Sequence, residues 1–419
     1  MKTKLFLLTK TFPFGKGEQY LADELDFLSR NFDQVVIIPC SVFDRNAKHE
    51  RALQDNVSVF PVNFFAKKKS FTKRISDTGL MISVFFQEAR NNKDGSYFRK
   101  NLRRSLSILK HQIACAEALT EKLTLEKDPS TRNIFYSYWM HNSAIILGVM
   151  KRKGVIPAFV SRAHSYDLYH QSFYPEKKDK SPLPWEYFKF RMTDVVYCIS
   201  EHGKNFLERK YPTMQKKFKV AYLGVDNGIA LNPEHGGENV FRIVTCSTVQ
   251  PLKRLEFVAN IISKMKGAVQ WVHFGTGENE EVNKLKEEAK QKFKPGQELV
   301  MKGFVPNKEV RKFYGDTHID LFMNMSKAEG VPVSLMEAAA AGIPLMATDV
   351  YGNAEVCTSD CGVLIPEQPD PEKAAMLIEE LRTDNARMSR MRKAARSNQQ
   401  HKFDAGTNYE QFCKMLLND

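Results

Sequence analysis

Short apolar runs alternate with longer amphipathic ones along this chain, and the series runs twice. "KLFLLT" (4–9) and "QVVIIP" (34–39) flank "EQYLADELDFLSRNF", in which Leu21, Leu25, Leu28 and Phe32 fall at helical spacing. Further strand-like runs are "NIFYSYW" from Asn133, "AFVSRAH" from Ala158, "DVVYCIS" from Asp194 and "KVAYLG" from Lys219. Residues 226–239 ("DNGIALNPEHGGEN") then lose all periodicity and cluster Gly, Asn, Pro and Asp, which predicts a linker. The series restarts with "FRIVTCS" (241), "VQWVHFG" (269), "ELVMKGF" (298), "IDLFMN" (319), "IPLMAT" (343) and "GVLIP" (362), separated by helical runs such as "RLEFVANIISKM" from Arg254. Strands rich in β-branched and aromatic residues, each followed by a helix, predict parallel sheets covered on both faces. The expectation is two doubly wound α/β domains, 1–225 and 240–400, with 401–419 a terminal helix free to pack back on the first.

Composition narrows the partners. The 419 residues are 42% hydrophobic and 26% charged, ordinary for a globular chain with a sizeable core. A net charge of +13 suits an anionic partner. No zinc-finger, RNP-type or recognition-helix pattern accompanies it, so nucleic acid is not expected. Basic and apolar residues mix between Phe64 and Lys110, around Lys67, Lys68 and Lys69. That mixture reads as a solvated helical face or as contact with an anionic membrane surface. The N-terminal apolar run stops at Thr9-Lys10, too short for a leader, and no run of apolar residues is long enough to span a bilayer. Seven scattered cysteines without a CxxC read as reduced thiols, and Cys357 and Cys361 have no second ligand pair for zinc. These features predict a cytoplasmic protein, at most peripheral to a membrane.

The chemistry concentrates in "SKAEGVPVSLMEAAAAGIPLMATDV" (326–350). Glu329 precedes a predicted helix start, Gly330 bares the backbone there, and Glu337 lies within the helix. A helix start offers unpaired amides and a positive dipole end, which suit phosphate. A carboxylate can accept two hydrogen bonds from a vicinal diol. Sugar hydroxyls, diphosphate and ribose in that order describe a nucleotide sugar.

"EGVPVSLMEAAAAGIPLMATDVYGNAE" resembles the E-x7-E signature of retaining glycosyltransferases of family 4. "CSTVQPLKR", "HFGTGE" and "MKGFVPNKEVRKFY" are similar to its phosphate-clamp, Gly-x-Gly and base-binding segments. "FPFGKGEQYLADEL" and "SRAHSYDLY" resemble its Gly-rich first loop and its cleft-histidine segment. The resemblance extends over nearly the whole chain and is most specific in the second half. It implies the GT-B fold, two Rossmann-like doubly wound parallel-sheet domains facing a cleft, the first binding acceptor and the second the nucleotide sugar.

Further expectations follow from the resemblance. Glu329 would hold donor-sugar hydroxyls and Glu337 the ribose; amides of Gly330, Val331, Pro332 and Val333 would meet the diphosphate. Lys253 would neutralise the leaving group with Arg254 close by, and His164 would lie beside the reacting sugar. Gly15, Gly17, Gly275 and Gly277 would let loops approach the donor, and Phe304 and Val305 would lie near the base. Arg162 and Asp167 are weak acceptor-side candidates that could equally form an ion pair with each other. His141 and Asn142 read as helix-start residues rather than acceptor ligands. One departure is Ser247, where the family commonly has the clamp arginine; Arg254 would then supply that charge. The implied reaction is transfer from a UDP-sugar to a glycan or lipid-linked acceptor, with anomeric configuration retained, in bacterial cell-surface polysaccharide synthesis. No cofactor or metal is implied, and no D-x-D occurs. Three other readings fit less of the sequence. A nicotinamide dehydrogenase needs a third glycine that "GKGEQY" and "GTGENE" lack. A noncatalytic anion- or membrane-binding protein leaves the paired glutamates without a purpose. A GT-B epimerase would convert the donor without an acceptor.

Overall fold

A computed structural model describes residues 1–15, 18, 21–44, 46–49, 51–65, 71–91, 101–125, 128–173, 184–234 and 239–418. Gly17, Lys67, Lys68 and Lys69 lie outside them. The chain forms two compact units, Met1–Ala221 with Tyr409–Asp419, and Tyr222–Asn408.

The first unit is built on seven strands: β1 (Lys2–Thr9), β2 (Gln34–Pro39), β3 (Val57–Val59), β4 (Thr131–Ser137), β5 (Val160–Ala163), β6 (Val195–Cys198) and β7 (Phe218–Val220). They pair in the order β3-β2-β1-β4-β5-β6-β7, and every pairing is parallel. Leu5 stands opposite Val35 on one side and Ile134 on the other. Leu5, Phe6, Leu7 and Leu8 are all fully buried, because helices cover both faces of a central parallel strand. The helix Leu21–Asn31 packs Leu21, Leu25 and Leu28 onto one face, joined by Phe412, Cys413 and Leu416 from the chain's last helix.

The second unit has six parallel strands: β8 (Phe241–Cys246), β9 (Val269–Phe274), β10 (Gln297–Gly303), β11 (Leu321–Asn324), β12 (Leu345–Thr348) and β13 (Gly362–Ile365), in the order β10-β9-β8-β11-β12-β13. Ile243, Trp271, Leu321 and Met346 form its core with Val258, Ile261 and Ile262 of the helix Leu255–Lys264. Residues 226–234, expected as linker, are anchored here. Asn232 donates to the carbonyls of Tyr314 (2.7 Å) and Thr317 (2.8 Å) and accepts from Ile319 N. Among the described residues no helix is long and apolar enough to cross a membrane.

A buried ion pair ties the first unit together. Arg162 Nη1 donates to Glu24 Oε2 at 2.6 Å, both side chains fully excluded from solvent. Tyr136 Oη donates to the other carboxylate oxygen at 3.1 Å, and the guanidinium lies 3.9 Å from the centre of the Phe412 ring. Burial works most strongly against the charged guanidinium, but Glu24 and the phenols of Tyr136, Tyr138 and Tyr409 together outweigh it, so the Arg162 pKa is raised and the group stays protonated. Removing one partner strands the other charge in a dry core. Arg162→Ala is therefore expected to lower unfolding stability of this unit by about 3–5 kcal/mol, read by denaturant melts; a loss within the ~1 kcal/mol of a surface ion pair would contradict this.

Candidate functional site

Glu329 sits in the loop between β11 and the helix Val333–Ala340, and that loop is set by short polar side chains. Asn324 Oδ1 accepts from Ser326 N at 3.1 Å, and Thr348 Oγ1 donates to the Ser326 carbonyl at 2.6 Å. The Glu329 side chain then turns inward, 8% exposed, and one oxygen collects three donors. Lys253 Nζ lies at 2.5 Å, Ser326 Oγ at 2.6 Å and Asn324 Nδ2 at 3.3 Å. The predicted sugar-holding carboxylate and the predicted clamp lysine are thus an ion pair in this structure. Ser326 and Asn324 were not foreseen, although an Asn and a Ser within five residues of an acid at a strand end are a recognisable hydrogen-bonding set.

Behind Glu329 the chain is buried through Gly330, Val331 and Pro332, and Val333 opens a helix that no side chain caps. Gly330 is held against a second glycine: a Cβ on Gly352 would overlap the Gly330 carbonyl. One expectation needs correction, because Pro332 has no N–H. Only Gly330, Val331 and Val333 can donate from this stretch.

Arg254 is engaged by backbone carbonyls. It adopts a left-handed backbone (φ 49) just before the helix Leu255–Lys264. Its Nε donates to the Met325 carbonyl at 2.6 Å, Nη1 to Glu367 at 2.7 Å and Nη2 to Ser326 at 3.4 Å. A guanidinium committed to three neutral carbonyls positions the loops and keeps its positive charge there. The cation directed at the Glu329 carboxylate is Lys253.

Glu337 is 2% exposed. Its Oε1 accepts from Asn307 Nδ2 at 2.8 Å and from Arg311 Nε and Nη2, each at 3.0 Å. Asn307 and Arg311 are four residues apart in the helix Asn307–Asp316 and so share a face. The i, i+4 spacing of Asn and Arg in "NKEVR" is the sequence signal for this pair. Phe304 is 54% exposed beside Val305, at the entry to the same helix.

Gly275 and Gly277 serve chain packing. A Cβ on either would overlap a carbonyl of the neighbouring loop, Ser247 for Gly275 and Val249 for Gly277. Ser247 N donates to Phe274 O (2.9 Å) and Val249 N to Thr276 O (3.0 Å), so the clamp loop lies directly on the glycine turn. His273 sits beneath it, fully buried, 2.7 Å from Thr245 Oγ1 through Nδ1; burial pushes its pKa down to about 4.

The first unit assigns its candidates differently. Arg162 belongs to the Glu24 pair and does not pair with Asp167. Asp167 Oδ2 accepts from His164 N at 3.0 Å, and burial raises that carboxyl to about 6. His164 is buried, its ring 4.3 Å from Trp139 and 4.8 Å from Tyr138, and Nε2 lies 3.0 Å from the Tyr138 carbonyl. A carbonyl only accepts, so Nε2 carries the proton. Burial, then Arg162, pushes the pKa down to about 3, leaving a neutral imidazole. Gly15 takes φ +65, and its carbonyl accepts from Arg51. The amides of this first loop meet a carboxylate from within the chain. Glu18 accepts from the N–H groups of Lys10 (3.1 Å), Thr11 (2.8 Å) and Phe12 (2.7 Å) and from the Trp139 indole (2.6 Å). A ligand phosphate there would have to displace Glu18. Among the described residues no cluster of three His, Cys, Asp or Glu could hold a metal ion.

These shifts give a pH dependence. His164 binds its proton at about pH 3 folded and near 6.5 unfolded, so the unfolded chain holds more protons between those values. Its contribution is complete above pH 6.5 and is lost as pH falls toward 3. Asp167, raised from 3.8 to about 6, acts oppositely between those two values. His164→Gln should reduce the acid slope of unfolding free energy by up to about 1.4 kcal/mol per pH unit; melts at pH 4 to 7 with parallel slopes would refute the assignment.

The profile of the Glycosyl transferases group 1 family matches residues 237–398. The O-antigen biosynthesis glycosyltransferase WbnH of Escherichia coli is 27% identical over 180 residues, 43% of this chain and 48% of that protein. The putative colanic acid biosynthesis glycosyltransferase WcaL of Escherichia coli is 27% identical over 224 residues, 51% of this chain and 54% of that one. The chain thus spans about half the length of the curated relatives it matches. Anabaena HepE, solved with UDP and glucose, superposes with a TM-score of 0.67 at 14% identity, covering 99% of this chain and 100% of HepE. WaaG, a glycosyltransferase of lipopolysaccharide biosynthesis, gives 0.64 at 13% identity, covering 99% and 100%. At such identities the structures speak for the fold, which is that of the GT-B glycosyltransferases. The profile, the relatives and the fold agree that this chain carries a glycosyl transferases group 1 domain.

Proposed function

We propose that the chain is a retaining glycosyltransferase of the family 4 type. It would move a sugar from a nucleoside-diphosphate sugar, a UDP-sugar by preference, to a hydroxyl of a glycan or lipid-linked acceptor in cell-surface polysaccharide synthesis. The observation that carries this reading is the Lys253–Glu329 pair beside the uncapped start of the helix Val333–Ala340. A buried carboxylate, a lysine and free-ended amides in one place match a sugar, its leaving diphosphate and the charge that develops between them.

The roles proposed for the site are those the family resemblance implies, and the geometry is compatible with them. Amides of Gly330, Val331 and Val333 hold the diphosphate. Lys253 transfers its attention from Glu329 to the departing phosphate oxygen, while Glu329 accepts from donor-sugar hydroxyls. Glu337, oriented by Arg311 and Asn307, accepts from the ribose, and Phe304 stacks on the base. The bond from the anomeric carbon to the phosphate oxygen breaks, and the bond to the acceptor oxygen forms on the same face. The acceptor proton passes to the departing phosphate, so no side-chain nucleophile and no metal is required. The second unit binds the donor, and the first, which holds the neutral His164, binds the acceptor.

A panel of nucleoside diphosphates read by thermal shift tests the donor site. UDP should raise the melting temperature, as any ligand selective for the folded state does, and Glu337→Ala should abolish the shift relative to its own ligand-free value. No shift with any nucleotide, or a shift intact in the variant, would overturn the reading. In a transfer assay with the stabilising donor, Glu329→Gln should lower turnover by about 10²–10³-fold, the effect of losing one electrostatic stabiliser. Donor epimerisation without acceptor would assign an epimerase instead.

A further inference from the structure

A cavity of about 290 Å³ lies in the first unit at the carboxyl ends of β1, β2 and β4, lined in part by Lys10, Ser41, Trp139, His141, Asn142 and Tyr166. None of its lining residues is an acid. Glu18, bonded to the Trp139 indole, is turned to the amides of Lys10, Thr11 and Phe12, and among the described residues the Lys10 ammonium makes no ion pair. The helix Asn142–Arg152 begins at this wall, and His141, its N-cap residue, does not cap it with its side chain. The cavity therefore combines a solvent-facing ammonium, an uncapped helix start, and hydroxyl and amide donors, with two aromatic side chains in its walls. Donors and a cation without an acid select an anion, and aromatic faces beside polar groups suit a sugar ring.

The charges behind the cavity are buried and balanced. Lys189 Nζ is buried and donates to the Met140 carbonyl at 2.9 Å, next in sequence to His141. Burial, then Lys189, then Lys10 push the His141 pKa down to about 3, so the imidazole meets a ligand in its neutral form. Burial lowers the Lys189 pKa and Asp167, Glu186 and Glu88 offset it; Asp167, fully buried outside the lining, also accepts from the Met140 N–H, so the cation that faces the cavity is Lys10.

We propose that this cavity seats the acceptor by an anionic substituent, a carboxylate or a phosphate, on a saccharide whose ring lies against Trp139 and Tyr166. The proposal rests on the transferase reading and adds the acceptor's charge and place. His141 and Asn142, read from the sequence as helix-start residues, are then also part of an acceptor subsite.

Calorimetric titration of the full chain with glucuronate, glucose 6-phosphate, glucose and inorganic phosphate tests it, alongside UDP with the wild-type protein. At least one anionic sugar should bind about tenfold or more tighter than glucose, the factor of one charge-assisted hydrogen bond. Lys10→Gln, a change at an exposed side chain, should remove most of that difference. Preference for glucuronate or for glucose 6-phosphate identifies the anion. Equal binding of glucose, no detectable binding of any sugar, or a preference unchanged in Lys10→Gln overturns the proposal. Inorganic phosphate binding as tightly as glucose 6-phosphate overturns the saccharide part. UDP binding without sugar discrimination sinks the cavity alone; sugar discrimination without UDP binding sinks the transferase reading instead.

Discussion

One carboxylate oxygen organises the second unit's site. Glu329 Oε1 draws Lys253 from the loop after β8 and Ser326 and Asn324 from the end of β11, so two strand ends meet on a single acceptor. The neighbouring geometry supports that meeting. Arg254, on the loop after β8, fastens it to the loop after β11 through the Met325 and Ser326 carbonyls, and Gly275 and Gly277 let the clamp loop lie on the turn after β9. Gly352 gives Gly330 room. These three arrangements hold together the loops on which the lysine and the glutamate meet.

The first unit uses the same strand-to-helix device with the opposite result. Its Gly-rich loop also bares consecutive amides, yet Glu18 from the same loop occupies them. An internal carboxylate there satisfies the donors and fixes the Trp139 indole, which in turn lines the neighbouring cavity. The first unit's glycine-rich turn is thus closed by its own chain, while the loops after β8 and β11 in the second unit present a lysine–glutamate pair beside an uncapped helix.

The fold was legible wherever burial is two-sided. "KLFLLT", "FRIVTC" and "VQWVHF" read as strands because a central parallel strand must be apolar throughout. β3 escaped notice because Val57–Val59 is a three-residue, partly exposed edge strand with no room for a pattern. Residues 226–234 looked like a linker because side-chain-to-backbone bonds such as those of Asn232 hold them, and such bonds leave no periodicity. Within the candidate site, residue identity and spacing singled out Glu329 and Glu337, and the family resemblance Lys253, but neither could say which donors each carboxylate faces. Arg254 shows why: beside Lys253 in sequence, it points elsewhere, because a left-handed residue at a helix entrance turns its side chain away from its neighbour's. Arg162 shows the same for tertiary pairing, its partner Glu24 lying 138 residues away.

The central claim is that Lys253 is shared between Glu329 in the free protein and a diphosphate in the complex. Calorimetric titration of UDP, which has no sugar for Glu329 to hold, into wild type and Glu329→Gln tests this directly. Freed from its partner, Lys253 should bind UDP more tightly in the variant, by about tenfold at low salt if the ion pair has the strength of a charge-assisted hydrogen bond. UDP binding that is unchanged or weaker in the variant would contradict the account, because Lys253 would then be no more available without Glu329 than with it.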